Sequence, residues 1–452
     1  MKSTKKIDMT KGSMIKLVFL FALPICAGNI LQMLYNTVDT LIIGNYCDSA
    51  SLAAVGTSGQ PVEMLLCIFM GLGTGVSILV SQSAGSGNVT RTKELVATAT
   101  SFLYLCAIPL SIIGIFVGPL VLKLMQCPAD TWDYAVSYLR IIFLGTLGNM
   151  GYNMNAGILR GLGDSRSSLF FLMISCLVNI VLDLLFIAVF HMGVSGAALA
   201  TIIAIFSSWI FSILYIRRQY PELDFHFLPR TLDKRILMQI IRIGLPLGLN
   251  NSIYSVGHIV LQSLVNAQGS AFMAACAVAG KVTGIANVAI SSLSSAATTF
   301  SGQNLGAGNY ARLKTGALRI PLASGLITCI AGLIVTFNCR PILGCFTKEA
   351  EVLELAALYI RVVLPFTWTY AVFNGILSFV NGLGEVRYPT FANLLMLWAV
   401  RIPVAYIIAF FINGTYVMAC YPISFTCGML FMFTYFGTKH WKNIRAKAVE
   451  QV

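Results

Sequence analysis

The sequence predicts an all-α integral membrane protein, with twelve transmembrane helices arranged as two parallel six-helix bundles, a 6+6 internal repeat. Three observations predict it. Of 452 residues, 57% are hydrophobic and only 10% charged, with a mean hydropathy of +0.81. Soluble domains carry about 25% charge, so a chain this apolar cannot cover itself in water and belongs in a bilayer. Apolar runs long enough to span the hydrocarbon recur twelve times, and motifs of the first half return in the second at a constant offset.

The runs fall near 17–43, 56–80, 95–117, 134–158, 168–190, 195–216, 238–265, 271–297, 316–337, 354–378, 388–411 and 415–436. Backbone groups surrounded by lipid must bond within their own segment, so each run is a helix. No cleavable signal peptide is expected, because residues 1–16 are polar and basic and the apolar run after them exceeds an h-region. The 12 cysteines are scattered, without CxxC pairs or zinc-like spacing, and are expected to be buried reduced thiols.

Charge sets the orientation. With the N-terminus placed inside, the inner segments carry 23 Lys and Arg and the outer loops only 3, Lys123, Arg340 and Lys348. This is the positive-inside pattern, with both termini cytoplasmic. It accounts for the net charge of +13 without a nucleic-acid partner. The four remaining cations, Arg140, Lys281, Arg361 and Arg401, fall within spans.

The repeat is read from loops. SQSAGSGNVTR (81–91) and GQNLGAGNYAR (302–312) share five of eleven positions: Gln82 with Gln303, Gly85 with Gly306, Gly87 with Gly308, Asn88 with Asn309 and Arg91 with Arg312. The offset of 221 also pairs RGLGDSR (160–166) with NGLGEVR (381–387), Tyr138 with Tyr359, Arg140 with Arg361 and Asn153 with Asn374, while Pro24 and Pro246 pair at 222. The chain therefore divides into a lobe at 1–220, a charged linker at 221–235 and a second lobe at 236–452. An even number of spans per copy gives both copies one orientation. Duplicated bundles with a site between them, opening alternately to either side, are a transporter design. The loop glycines suit tight turns at helix ends. A phosphate cradle at GLGTG (71–75) is disfavoured, since no strand precedes it and the P-loop Lys is missing.

The run LPICAGNILQMLYNTVDTLIIG (23–44), then LAAVG (52–56), resembles the first-helix signature of the multidrug and toxic compound extrusion (MATE) family. The paired QSAGSGN/QNLGAGN and RGLGD/NGLGE loops are similar to that family's paired motifs, and the resemblance runs end to end. It implies a V-shaped pair of six-helix bundles that exports drugs or metabolites in exchange for H⁺ or Na⁺, with no other cofactor.

An ionisable side chain inside a span is costly and marks function by default. The first half has two, Asp39 in the first span and Asp183 in the fifth, at similar depth near the outer ends of two outward-running helices. Gln32, Tyr35, Asn36 and Asp39 share one helix face, and Asn179 lies one turn before Asp183. Two carboxylates sharing a pocket repel, and one proton, or one Na⁺ held by carboxylate and amide oxygens of Asp39, Asp183 and Asn179, relieves the repulsion. Resemblance to the acidic network of prokaryotic MATE proteins adds Tyr138, Asn153 and Thr201. Pro24 is expected either to bend the first helix or to mark its start.

The second half departs from the family. Some relatives carry acids in helices 7 and 10, whereas here Tyr254, His258 and Gln262 step along helix 7, Tyr370 stands in helix 10, and no Asp or Glu lies well inside a span. Lys281 and Arg401 have no twin in the repeat. With Gln32, Tyr254, His258 and Tyr370 they are candidate cavity residues, and they open the substrate range from cationic to anionic molecules. The ordinary role of such cations is to pair with helix-end carbonyls, and that of a lone His is an interface hydrogen bond. A flippase for lipid-linked oligosaccharides or other anionic lipids is the alternative function. A membrane hydrolase is disfavoured by the lack of HExxH, GxSxG or paired His, and a channel by the duplicated halves and the acid pair. The expectation is a non-enzymatic, monomeric, multi-pass protein of a prokaryotic plasma (inner) membrane, acting on small molecules within the lipid bilayer.

Overall fold

Helices account for nearly all of residues 6–125 and 127–450, which the computed structural model describes; residues 1–5, the start of the basic segment 1–16, lie outside the described residues. Eight helical stretches among them are long and apolar enough to cross a membrane. The last, Arg387–Gly437, holds two of the predicted spans, and α2 (Ser49–Gly85) together with the more polar α4–α5 (Trp132–Leu144, Thr146–Gly161) and α8 (Lys234–Asn266) completes the twelve.

The first six spans are α1 (Met14–Tyr46), α2, α3 (Val89–Leu124), α4–α5, α6 (Ser165–Asp183) continued by the π-helical turn Leu184–Val189, and α7 (Gly193–Gln219). The second six are α8, α9 (Ser270–Gly306), α10 (Tyr310–Phe337), then α12–α13 (Ala350–Val363, Thr367–Gly382) after the short α11 (Cys339–Gly344). The eleventh comprises α14 (Arg387–Leu394), the π turn Leu395–Arg401, α15 (Ile402–Ile407) and a second π turn Ile408–Asn413. The twelfth is α16 (Cys420–Phe433), and α17 (Lys439–Val449) lies beyond it.

Starts are set by caps: Asp48, Asn88 and Asp164 accept the backbone N–H of Ser51, Arg91 and Ser167, which satisfies a donor that the helix itself leaves free. The fourth and tenth predicted spans are each broken rather than continuous, at Gly145 and at the turn Leu364–Phe366. These are equivalent positions of the repeat. In the tenth, Pro365 has no N–H to continue the ladder. Pro24 lies well inside α1, so it does not mark the start of that helix.

Contacts divide the chain into two units, one of residues 1–7 and 23–249, the other of 8–22 and 250–452. This differs from the division 1–220, 221–235 and 236–452. The boundary falls within α8, and the linker with the first part of α8 belongs to the first unit. Close packing explains it. Gly71 and Gly75 of α2 and Gly244 and Gly248 of α8 form two small-xxx-small pairs. A Cβ on Gly75 would stand 2.9 Å from the Gly244 Cα, and one on Gly71 would collide with the Gly248 backbone. The linker is pinned to α3 by Ser101 Oγ and Tyr104 OH, which donate to the carbonyls of Thr231 and Phe227. Lys93, 2.9 Å from Asp224, holds that carboxyl below the usual carboxylate range.

The twin loops do twin work. Gly87 and Gly308 take φ of +67° and +70°, and Gly163 and Gly384 take +93° and +83°, where a Cβ would be strained. Gly161 sits against the Ser77 carbonyl and Gly382 against that of Thr298, so equivalent helices approach closely in both units. Within the second unit the QNLGAGN loop also holds the segment before α1: Met9 N–H donates to Gln303 Oε1 at 3.0 Å, while Asn304 and Arg312 donate to the Met9 carbonyl at 3.0 and 3.1 Å.

Asp164, of RGLGD, does more than cap. Its carboxylate is 4% exposed and accepts from the hydroxyls of Ser167 and Tyr215 at 2.8 Å and Tyr220 at 3.3 Å. Asp164→Ala would orphan these donors and is expected to cost roughly 2–4 kcal/mol. A thermal melt of the detergent-purified variant should fall by roughly 2–4 °C; an unchanged melt would rule out this structural role.

Candidate functional site

In the first unit, α1 and α6 bring Asp39 and Asp183 against each other, with Asn179 beside Asp183. Helical geometry places them so: Asn179 and Asp183 are one turn apart on the face of α6 that turns inward, and are 1% and 0% exposed. Asp183 is the last α-helical residue before the π turn Leu184–Val189. Such wide turns leave carbonyls poorly paired and recur at functional sites. An apolar wall of Ile42, Ile43, Ile187 and Ala197 packs alongside.

The three side chains are short of partners for so buried a position: both Asp183 oxygens, Asp39 Oδ1 and both amide atoms of Asn179 are buried, lack a well-formed hydrogen bond, and face chiefly one another. Buried polar atoms are nearly always paired, so such a cluster asks for an unseen proton or cation. Tyr35 and Tyr138 lie within electrostatic reach of both acids, and the Thr201 hydroxyl lies against Tyr35. Asp39, Asp183, Asn179, Tyr35, Tyr138 and Thr201 are thus brought together.

Asn153 is not. Its amide donates to the carbonyl and Oδ1 of Asn149 at 2.9 and 3.0 Å, and it lines a small cavity with Phe69, Leu72 and Met150. Gln32 and Asn36 lie exposed on α1.

In the second unit, Tyr254, His258, Tyr370 and Arg401 gather. Arg401 is 1% exposed; its Nη1 donates to Tyr254 OH at 2.9 Å and its Nε to Ser424 Oγ at 3.0 Å. The guanidinium lies over the rings of Tyr421, Phe425 and Tyr254, at 5.0, 5.1 and 5.9 Å from their centroids. His258 stacks beside Tyr254, with ring centroids 5.1 Å apart, and Tyr370 packs on Phe425 at 4.5 Å. The expectation that Arg401 pairs with helix-end carbonyls is replaced by this box, because hydroxyls and ring faces reach it first. Lys281 is elsewhere, exposed on α9 with its ammonium 5.9 Å from the Phe346 ring centroid.

Sequence reasoning missed Tyr421, Ser424 and Phe425. Their spacing on α16 places them on one helix face, but nothing in the sequence aims that face at Arg401. It also passed over the paired GxxxG pattern of 71–75 and 244–248 as a packing signal.

These features meet a known pattern. The MatE family model matches the chain twice, over residues 24–185 and 246–407, each match beginning at one of the paired prolines. Among curated proteins, the probable multidrug resistance proteins YoeA and YpnP of Bacillus subtilis are 28% and 27% identical over 442 and 445 residues. The alignments cover 94% of both chains for YoeA, and 98% of this chain and 99% of the other for YpnP. A solved outward-facing multidrug resistance MATE family transporter superposes with a TM-score of 0.88 at 22% identity, covering 99% of each chain, a likeness of fold. With two family matches that together span most of the sequence, on a twelve-span two-unit fold, the chain belongs to the MatE family.

Proposed function

We propose that this protein exports drugs or metabolites across the plasma membrane by antiport with H⁺ or Na⁺, its two units alternately opening a path to either side. The observation that carries the proposal is the cluster of five buried polar atoms on Asp39, Asn179 and Asp183, which lack well-formed hydrogen bonds and face chiefly one another. A proton on one carboxyl would let it donate to the other, and a Na⁺ would be held by the same oxygens. Either ion removes a repulsion between two desolvated carboxylates, so occupancy carries free energy that can bias one arrangement of the helices over another. The curated relatives are multidrug resistance proteins by name, which supports small-molecule substrates and gives no support to a flippase. The distribution of Lys and Arg favours cytoplasmic termini.

Purified protein reconstituted in liposomes tests this. Uptake of a panel of fluorescent organic cations and anions would be followed under a pH gradient and, separately, a Na⁺ gradient. At least one substrate should accumulate against its own gradient under one ion gradient and not the other. Equal flux with and without both gradients would make the protein a facilitator and sink the antiport.

A further inference from the structure

We propose, resting on the exporter reading above, that Arg401 sets the charge of the substrate: the aromatic box around it takes the oxyanion of an amphiphilic organic anion and rejects organic cations. Four observations lead there.

The guanidinium has no carboxylate. Every acid of residues 250–452 is a Glu (349, 351, 354, 385 and 450), and none lies well inside a span. The ion pairs found among the described residues do not include Arg401. A buried cation without a counter-charge is costly, and a neutral side chain of the same size would fill the box more cheaply. The three ring faces offset part of that cost, but no carboxylate in the box offsets the rest.

Its hydrogen bonds are also incomplete. Besides Tyr254 and Ser424 the guanidinium reaches only the Met396 sulfur, at 3.8 Å. That is fewer partners than the planar fork has N–H groups, and the fork matches an oxyanion.

The helix changes pitch at this residue. Arg401 ends the wide π turn Leu395–Arg401, and Pro403, which has no N–H to give to the ladder, follows it. The equivalent helix of the first unit carries Asp183 at the start of its own π turn. One helix of the repeat thus presents an acid in one copy and a base in the other.

Finally, the rings that would otherwise stack an organic cation already hold one. Tyr421, Phe425 and Tyr254 supply their faces to Arg401, so a second positive charge meets both an occupied box and direct repulsion. Tyr254 and Tyr421 are only half-buried, and His258 beside Tyr254 is exposed. Rotation of the Tyr254 ring therefore uncovers Nη1 for an incoming carboxylate, sulfonate or phosphate, with the apolar body lying along Tyr370 and Phe425.

The test is equilibrium binding, with no gradient imposed, to full-length protein in lipid nanodiscs. The probes are a pair of equal shape and opposite charge: 11-(dansylamino)undecanoate and the matching dansylaminoalkyl-trimethylammonium. Wild type is expected to bind the anion at least about tenfold more tightly than the cation. Arg401→Gln should weaken the anion about tenfold and tighten the cation, which inverts the preference. Arg401→Lys should keep the cation out while weakening the anion, since it retains charge but not the fork. A saturable gain of cation binding in Arg401→Gln, absent from empty nanodiscs and accompanied by weaker anion binding, separates the effect from misfolding, which would raise or lower both probes together. Wild type preferring the cation, or Arg401→Gln keeping the wild-type preference, would each overturn the assignment. Because no ion gradient enters, failure of antiport leaves this result standing, and the reverse also holds.

Discussion

Asp183→Asn is expected to reduce gradient-driven transport to the level of empty liposomes while the protein stays folded and becomes slightly more heat-stable. The side chain keeps its shape, so the packing of α6 is undisturbed. What changes is that the cluster loses one charge and one site for an ion. Asp183 is 0% exposed with both oxygens lacking a well-formed hydrogen bond, so the wild-type cluster stores repulsion and desolvation that the amide does not. Relief of about 1 kcal/mol would raise the melting temperature by roughly 1 °C. Asp39→Asn should behave alike in transport with a smaller gain in stability, because Asp39 is less buried. The two measurements, flux under the driving gradient and a melt in detergent, separate the outcomes. Full transport by Asp183→Asn would remove the acid pair from the coupling mechanism, and lost transport with a lowered melt would make Asp183 a structural residue.

The second large effect is expected at the crossing of α2 and α8. Gly75→Leu should abolish recovery of monodisperse protein from membranes. A side chain there must enter the space held by the Gly244 backbone, 2.9 Å from where its Cβ would stand. Backbone cannot yield as a flexible side chain can, so the helices must separate along their whole contact. Gly75→Ala should be intermediate, at a cost of about 1–3 kcal/mol. Gly59, on the same helix, has open space where its Cβ would be. Gly59→Ala is therefore expected to be neutral or to stabilise by about 0.5–1 kcal/mol through helix propensity. Size-exclusion profiles of the three variants decide the matter; a normal profile for Gly75→Leu would mean that α2 and α8 do not meet there.

Much of the fold was legible because its signals are local or periodic. Apolar length alone marked the spans, since a continuous apolar run of about 20 residues in lipid satisfies its backbone as a helix, whereas barrel strands are shorter and alternate, and the offset between Gly87 and Gly308 or Gly163 and Gly384 revealed the repeat. The glycines recur because each must turn the chain at positive φ. Asp39, Asn179 and Asp183 could be singled out because an acid in a span is conspicuous wherever it points.

Contacts between residues distant in sequence were not legible. The contact boundary falls within α8 because Gly244 and Gly248 belong by sequence to the second repeat yet pack on Gly71 and Gly75 of the first. Asn153 is grouped with the acids by resemblance, and in the structure its Nδ2 donates to Asn149, one turn away in its own helix. Lys281 and Arg401 looked alike as unpaired cations in spans. Only the packing distinguishes them, one lying exposed beside Phe346 and the other sealed among Tyr254, Tyr421 and Phe425. Hydropathy and periodicity, which one strand of text records, thus determined the spans, the duplication and the acids of this protein. Which polar groups find partners and which are left without them is a property of surfaces meeting in three dimensions, and the tertiary structure alone decided it.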